Sequence, residues 1–359
     1  MDFRHILNSK KTLLSVILGV FFTLTTCKTF AIQGEGSTTE AKNAEQEAFN
    51  PTTAILEHIG DSHYWHVGGE TSIALPVILF TDKGTEFFSA SEFHHGHEAH
   101  QGKYYTYKLV EEKIRVVNAA GEVDKEASKH IYDFSITKNV VALWIAGILL
   151  LVIFMSVAAA YRKRVGKAPK GLQSLVEPVI MFVRDEIARP NIGYRYERYM
   201  PILLTIFFFI WINNLLGLVP IFPGGANVTG NILMTFVLSF IVMLVVNFSA
   251  NKYYWKHIFM PPVPVWLYPI MIPVELIGVI SRPFALMIRL YANISAGHII
   301  VLSLIALIFI FKTLFIAPVS IAFVLFMDVL ELLVAFLQAF IFTMLTALFI
   351  GTAVEEHHH

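Results

Sequence analysis

From Val265 to Phe311 the chain runs 47 residues with only scattered charges, and a second apolar segment follows from Pro318 to Thr352. An upright membrane helix needs about 20 apolar residues. Segments this long and apolar belong in a bilayer, where backbone N–H and C=O groups must bond within the helix because no water is available. Composition agrees: 55% of residues are hydrophobic, 15% are charged and the mean hydropathy is +0.61. That is too apolar for a soluble domain. The formal net charge is zero, so no global field points to nucleic acid. The basic residues cluster instead, and in membrane proteins such clusters mark the cytoplasmic side.

Three parts are expected. Residues 1–31 read as a secretory signal, with a basic start (Arg4, Lys10, Lys11), an apolar stretch Leu13–Thr25 and a small residue ending Thr29-Phe30-Ala31. An uncleaved anchor helix is the other reading. Cleavage there would remove Cys27 and leave no cysteine for a disulfide. Residues 32–137 are polar and open on a linker-like GEGSTTEAKNAEQE. Strand-like runs follow at Ser72–Phe80 and Tyr104–Val110, between Gly and Asp turn signals. This part holds His58, His63, His66, His94, His95, His97, His100 and His130. HHGHEAH reads either as a metal-binding loop or as a solvated loop, and no metal is assigned to it. Residues 138–359 are the membrane part. A first span at about Asn139–Tyr161 runs into Arg162, Lys163, Arg164, Lys167 and Lys170, which places that loop in the cytoplasm and residues 32–137 outside. Residues 172–200 mix charge and apolar residues like an interfacial amphipathic helix. Spans follow at about Pro201–Val219 and Gly230–Ala250. Val265–Phe311 is either two spans or one steeply tilted helix, broken at Ser281-Arg282-Pro283. The fold class is all-α and polytopic, with about five membrane helices, an interfacial helix and a small β-containing external domain.

Within the apolar segments stand Arg289, His298 and Glu331. Arginine stays protonated in proteins, and a charge at the centre of a membrane helix costs about 3 kcal/mol on insertion scales. Such residues are read by default as functional. Arg289 and Asn293 are four apart and share a helix face. His298 lies about 13 Å beyond Arg289 along the axis and about 180° around it. Glu331 and Gln338 are about 10 Å apart on nearly one face. If the last two helices run antiparallel with Gln338 level with Arg289, His298 and Glu331 are displaced to the same, external, side. Glu275 is about 21 Å the other way, provided helix continues past Pro283.

IRLYANISAGH around Arg289, LQAFIF in the last segment and NNLLGLVP in the second span resemble the a subunit of F-type ATP synthases, over roughly residues 139–359. On that resemblance Arg289 matches the essential arginine, with Ile288 replacing a leucine. Asn293 matches the asparagine four later, with Ala292 replacing a glycine. Gln338 matches the glutamine of LQAFIF, Asn214 the asparagine of the second-span motif and Glu275 an acidic residue. His298 and Glu331 fall where members carry a histidine and a carboxylate, in the mitochondrial order. The resemblance implies a non-catalytic subunit of a bacterial inner membrane. Its partners would be a rotor c-ring, b-type peripheral stalk subunits and, through the complex, a soluble ATPase sector. It implies no cofactor, two half-channels for H⁺ or Na⁺, and coupling to rotary ATP synthesis. A secondary transporter would show internal repeats with broken helices. An intramembrane metalloprotease would carry HExxH, which is absent here. A motor stator would not pair the arginine motif with LQAFIF.

Overall fold

The computed structural model describes residues 59–355, apart from 69–70, 97, 111, 119–120, 165–166, 220–223, 262 and 312–314. The expected signal segment, Cys27, His58, His97 and the terminal histidines lie outside the described residues. The chain divides into two compact units. One comprises residues up to 140 with 219–225 and 303–326, and the other 141–218, 226–302 and 327 onward.

Among the described residues of the first unit, eight short strands form three antiparallel sheets. They are β1 (Tyr64–Gly68), β2 (Thr71–Ala74), β3 (Pro76–Thr81), β4 (Gly84–Ser89), β5 (His100–Gln101), β6 (Thr106–Val110), β7 (Lys113–Val117) and β8 (Tyr132–Asp133). The sheet orders are β1-β2, β4-β3-β8 and β5-β6-β7. The run Ser72–Phe80, expected as one strand, is two, because Pro76 has no N–H to give a ladder and is admitted at a strand's first position. Alternation then sets the faces of β3: Val77 and Leu79 are fully buried while Phe80 points outward. Val77, Leu79, Phe93, Tyr107, Ile114 and Val116 build the core. Glu86 is buried beside it, and its carboxylate accepts from the Lys103 N–H (2.8 Å), the Tyr104 N–H (3.0 Å) and the Tyr107 hydroxyl (2.8 Å). A Cβ at Gly102 would stand 2.1 Å from that carboxylate, so the turn needs glycine there. Two described histidines of this unit take separate partners. His94 pairs with Glu98 at 3.1 Å, and His100 lies 3.8 Å from Glu92 with its ring 4.5 Å from that of Phe88. Among the described residues no three His, Cys, Asp or Glu side chains converge. Helix α1 (Lys125–Lys129) is capped by Asp124, and β8 leads into α2 (Lys138–Lys163). The Lys138 N–H donates to the Ser62 carbonyl (3.0 Å) and the Asn139 N–H to the Asp61 carboxylate (3.2 Å), tying the β-rich region to the first turn of α2.

The second unit is helical. It holds α3 (Leu172–Phe182), α4 (Arg189–Ile192), α5 (Tyr196–Leu218), α6 (Ile232–Ser249) and α7 (Lys252–Phe259), with most of α2, of α8 (Tyr268–Phe311) and of α9 (Ile316–Val354). Among the described residues, five helical stretches are long and apolar enough to cross a membrane. Between α3 and α4 the helix widens to a π-turn over Val183–Ala188, just ahead of Pro190, whose ring cannot donate to the carbonyl four residues back. Gly193, at φ 72°, then lets the chain turn into α5. Helix α8 is continuous through Pro273 and Pro283, so the expected break at Ser281-Arg282-Pro283 does not occur. One missing hydrogen bond does not end a helix whose next turns are packed: Leu286 and Leu290 sit in the core with Leu203, Phe207, Ile210, Val242 and Phe342. At 44 residues α8 is about 66 Å long, roughly twice the hydrocarbon thickness.

The C-terminal end of α9 is locked by backbone contact. The Asn251 backbone and side-chain amides donate to the Ala353 and Val354 carbonyls at 2.9 and 2.8 Å. Gly351 presses against α4 so closely that a Cβ would meet the Asn191 carbonyl oxygen at 1.9 Å. The obstacle is backbone, so Gly351→Ala is expected to lower stability by about 1–3 kcal/mol. Gly278→Ala, where a Cβ meets nothing within 4 Å, is expected to be neutral or slightly stabilising. Thermal unfolding of the two variants in one detergent measures the difference.

Candidate functional site

The residues singled out by sequence separate into three places. Arg289 and Asn293 lie one turn apart on an exposed face of α8, flanked by exposed Ala285, Ala292 and Ala296. The arginine is therefore not buried within this chain. Among the described residues it has no ion-pair partner. The alanines, at four before, three after and seven after Arg289, leave room for another helix to approach, as small residues do between membrane helices. Their spacing was readable in the sequence.

His298 and Glu331 come together. His298 Nδ1 is 3.7 Å from Glu331 Oε1, with the histidine side chain 20% and the carboxylate 7% exposed. That separation is too long for a direct hydrogen bond and short enough for one bridging water. Glu331 Oε1 has no hydrogen-bond partner among the described residues. The approach depends on two glycines. A Cβ at Gly297 would stand 2.7 Å from Glu331 Oε1, and a Cβ at Gly217 of α5 would stand 3.8 Å from His298 Nε2. Both glycines fall within the motifs IRLYANISAGH and NNLLGLVP, but their role was not legible, since each contributes the absence of a side chain. Asp328, half-buried, is one turn from Glu331.

Asn214 is buried and uses both ends of its amide. Its Nδ2 donates to the Ala335 carbonyl at 3.3 Å, and its Oδ1 accepts from the Thr229 hydroxyl at 2.7 Å. Ser295 Oγ donates to the Gly230 carbonyl at 3.4 Å. These bonds tie α5, α8, α9 and the loop before α6 around the His298–Glu331 pair. Thr229 had no sequence signal. Asn213 turns back on its own helix, donating to the Phe209 carbonyl at 2.8 Å. Gln338 is buried on α9.

Glu275 lies elsewhere, half-buried near the start of α8. Burial raises the Tyr254 hydroxyl above its ordinary range; Arg282 opposes this and Glu275 adds to it, so both α8 charges reach α7 electrostatically. Arg282 lies over the Phe349 ring at 5.6 Å. It borders a cavity of about 10 Å³, roughly one water, with Asn247, Tyr254 and Phe349. Asn247 Oδ1 is buried without a hydrogen-bond partner among the described residues. The arrangement is thus a buried His–carboxylate pair, a carboxylate–arginine region toward the other end of α8, and an exposed arginine between them.

The family described as ATP synthase A chain matches residues 140–351, which include every one of these residues. The chain belongs to the ATP synthase A chain family. ATP synthase subunit a of Chloroherpeton thalassium is 49% identical over 233 residues, covering 64% of this chain and 69% of that protein. ATP synthase subunit a 2 of Chlorobaculum tepidum is 48% identical, covering 63% of this chain and 65% of its own length. ATP synthase subunit a of an Anaeromyxobacter species is 38% identical over 318 residues, 85% of this chain and 71% of that protein. Residues 54–134 match a separate family, described as a domain of unknown function (DUF8433). With five long apolar helices among the described residues, this member of the ATP synthase A chain family is a multi-pass membrane protein.

Proposed function

We propose that this chain is subunit a of an F-type ATP synthase membrane sector. It forms two ion half-channels against a rotor ring and couples proton flow to rotary ATP synthesis, without itself being catalytic. The observation that carries this reading is Arg289, a permanent charge on an exposed face of an apolar helix, with no counter-ion among the described residues. A rotor carboxylate arriving on that face would be held ionised by the guanidinium, and the positive charge would bar protons from passing directly. His298 and Glu331 would relay protons on the external side, the histidine being suited because free imidazole titrates near neutral pH. Glu275, with Arg282 and Tyr254, would serve the cytoplasmic side. Asn293 and Gln338 would position the arginine and the arriving carboxylate, and Asn214 would hold the outer path in register. The c-ring, b-type stalk subunits and soluble sector are the partners this reading requires, and H⁺ or Na⁺ the coupling ion.

Residues 32–137 would form an external domain of a bacterial inner-membrane protein, with residues 138–359 as the channel part and the C-terminus in the cytoplasm. The basic run after α2 supports this orientation. Single cysteines at Ser91 and Lys167 are expected to label from opposite sides of the membrane, Ser91 from outside; labelling of both from the same side would overturn the topology.

Arg289→Ala is expected to abolish ATP-driven proton pumping and gradient-driven synthesis while the chain still inserts and co-purifies with its complex. Lysine should rescue poorly, because its compact charge is lost more readily on burial. ATP synthesis retained by inverted vesicles of the alanine variant would refute the proposal.

For the outer pair, His298→Ala and Glu331→Ala are each expected to slow passive proton flux about 10-fold or more without ending it. The exchange His298→Glu with Glu331→His should be faster than at least one of its component single substitutions. A double-mutant cycle on vesicle flux then gives a coupling of about 0.5–3 kcal/mol. Strictly additive losses would mean that the two groups act separately.

A further inference from the structure

The β-rich region presents an apolar face that its own core does not use. In the β4-β3-β8 sheet Val77, Leu79 and Glu86 point inward, and the opposite face carries Phe80, Phe87 and Tyr132. Phe80 pairs with Tyr132 across β3 and β8, and Phe87 with Ile78 across β3 and β4. The Phe134 N–H donates to the Ile78 carbonyl and the Ile136 N–H to the Pro76 carbonyl, so the segment continues along β3 past β8. Tyr132, Phe134 and Ile136 therefore alternate onto one face. Phe134 meets Phe80 edge-on at 5.3 Å. Phe87 is 72%, Tyr132 67% and Phe134 65% exposed. Four contiguous exposed aromatic rings are more than the scattered apolar residues of an ordinary soluble surface, and they mark a contact surface.

What this face meets follows from where the chain goes next. Phe134 is four residues before Lys138, the first residue of the membrane helix α2, so the two Cα atoms are at most about 14 Å apart. The region is also held to that helix start, because Ser62 and Asp61 accept from the Lys138 and Asn139 N–H groups. The aromatic stripe thus runs into the point where the chain enters the bilayer. Phe and Tyr rings in such a place suit the headgroup–acyl boundary, where apolar ring faces are buried and the Tyr hydroxyl stays wet. We infer that the outer face of the β4-β3-β8 sheet docks on the lipid surface, with Phe80, Phe87, Tyr132 and Phe134 as its anchors. The sheet is then an interfacial platform at the chain's point of entry into the bilayer. This goes beyond the channel reading and holds on either side of the membrane.

The full chain with Cys27→Ser, carrying single cysteines at Phe87, Tyr132 or Glu122, tests it. Each cysteine is labelled with the same fluorophore, and the protein is placed in nanodiscs whose phospholipid bears a nitroxide on the upper acyl chain. Fluorescence at positions 87 and 132 is expected to fall at least twofold, and at exposed Glu122, in the turn after β7, by less than about a tenth. Adding Phe80→Ser and Phe134→Ser should at least halve the quenching at 87. Quenching at 87 and 132 no greater than at 122 would overturn the proposal. So would quenching that survives the serine substitutions, since the dye rather than the sheet would then be seeking lipid. Labels that are shielded but unquenched would assign the face to a second copy or to residues 1–58 and would equally overturn it.

Discussion

Gly297 has no side chain, and the Glu331 carboxylate occupies the space one would fill. The rest of the membrane unit is arranged around that contact. Because α8 approaches α9 there to within a missing Cβ, the next residue, His298, is carried to 3.7 Å from the carboxylate. Gly217 leaves room on the other side of the imidazole. A space so narrow excludes bulky neighbours but leaves polar atoms short of partners, as Glu331 Oε1 shows among the described residues. Asn214, Thr229 and Ser295 then supply the cross-helix hydrogen bonds that fix register in surroundings where apolar contact alone favours no one alignment.

Arg289 poses the opposite electrostatic problem. The pair at His298 and Glu331 is enclosed by its own chain; the arginine is turned outward, on a face smoothed by Ala285, Ala292 and Ala296. A permanent charge left facing hydrocarbon is costly, and water or a counter-charge from another molecule has to offset that cost. The chain taken alone is therefore electrostatically unfinished on this face, which fits the proposed rotor partner.

Much of this was legible from spacing. The helical period put Arg289 and Asn293 on one face, and an antiparallel pairing of the last two helices put His298 and Glu331 to one side of them, where the structure has them adjacent. What spacing did not carry was whatever depends on tertiary neighbours. Pro283 reads as a break in isolation, yet the packed core around Leu286 and Leu290 keeps α8 continuous. Pro76 splits a run that alternation alone joins. The roles of Gly297 and Thr229 have no local signature, because one acts through empty space and the other through a partner 15 residues away in sequence. Arg289 was expected inside an apolar span, and only the fold shows which side of α8 it occupies.

The continuity of α8 has a consequence for the path. His298 and Glu275 stand on one unbroken helix, about 35 Å apart along its axis, comparable to the roughly 30 Å hydrocarbon core. Between them Leu286, Leu290 and Ile294 recur every four residues and are all buried, so the inward face of the helix is apolar where a proton wire would have to run. Side chains of this kind neither accept nor donate a proton. An ion reaching the His298–Glu331 pair has no titratable step toward Glu275 along that face. On the proposed reading it must leave the chain and travel around the exposed side, past Arg289, on a group supplied by another subunit. The apolar face of α8 is then as necessary to coupling as the charged one: it closes the short circuit and leaves rotation as the way across.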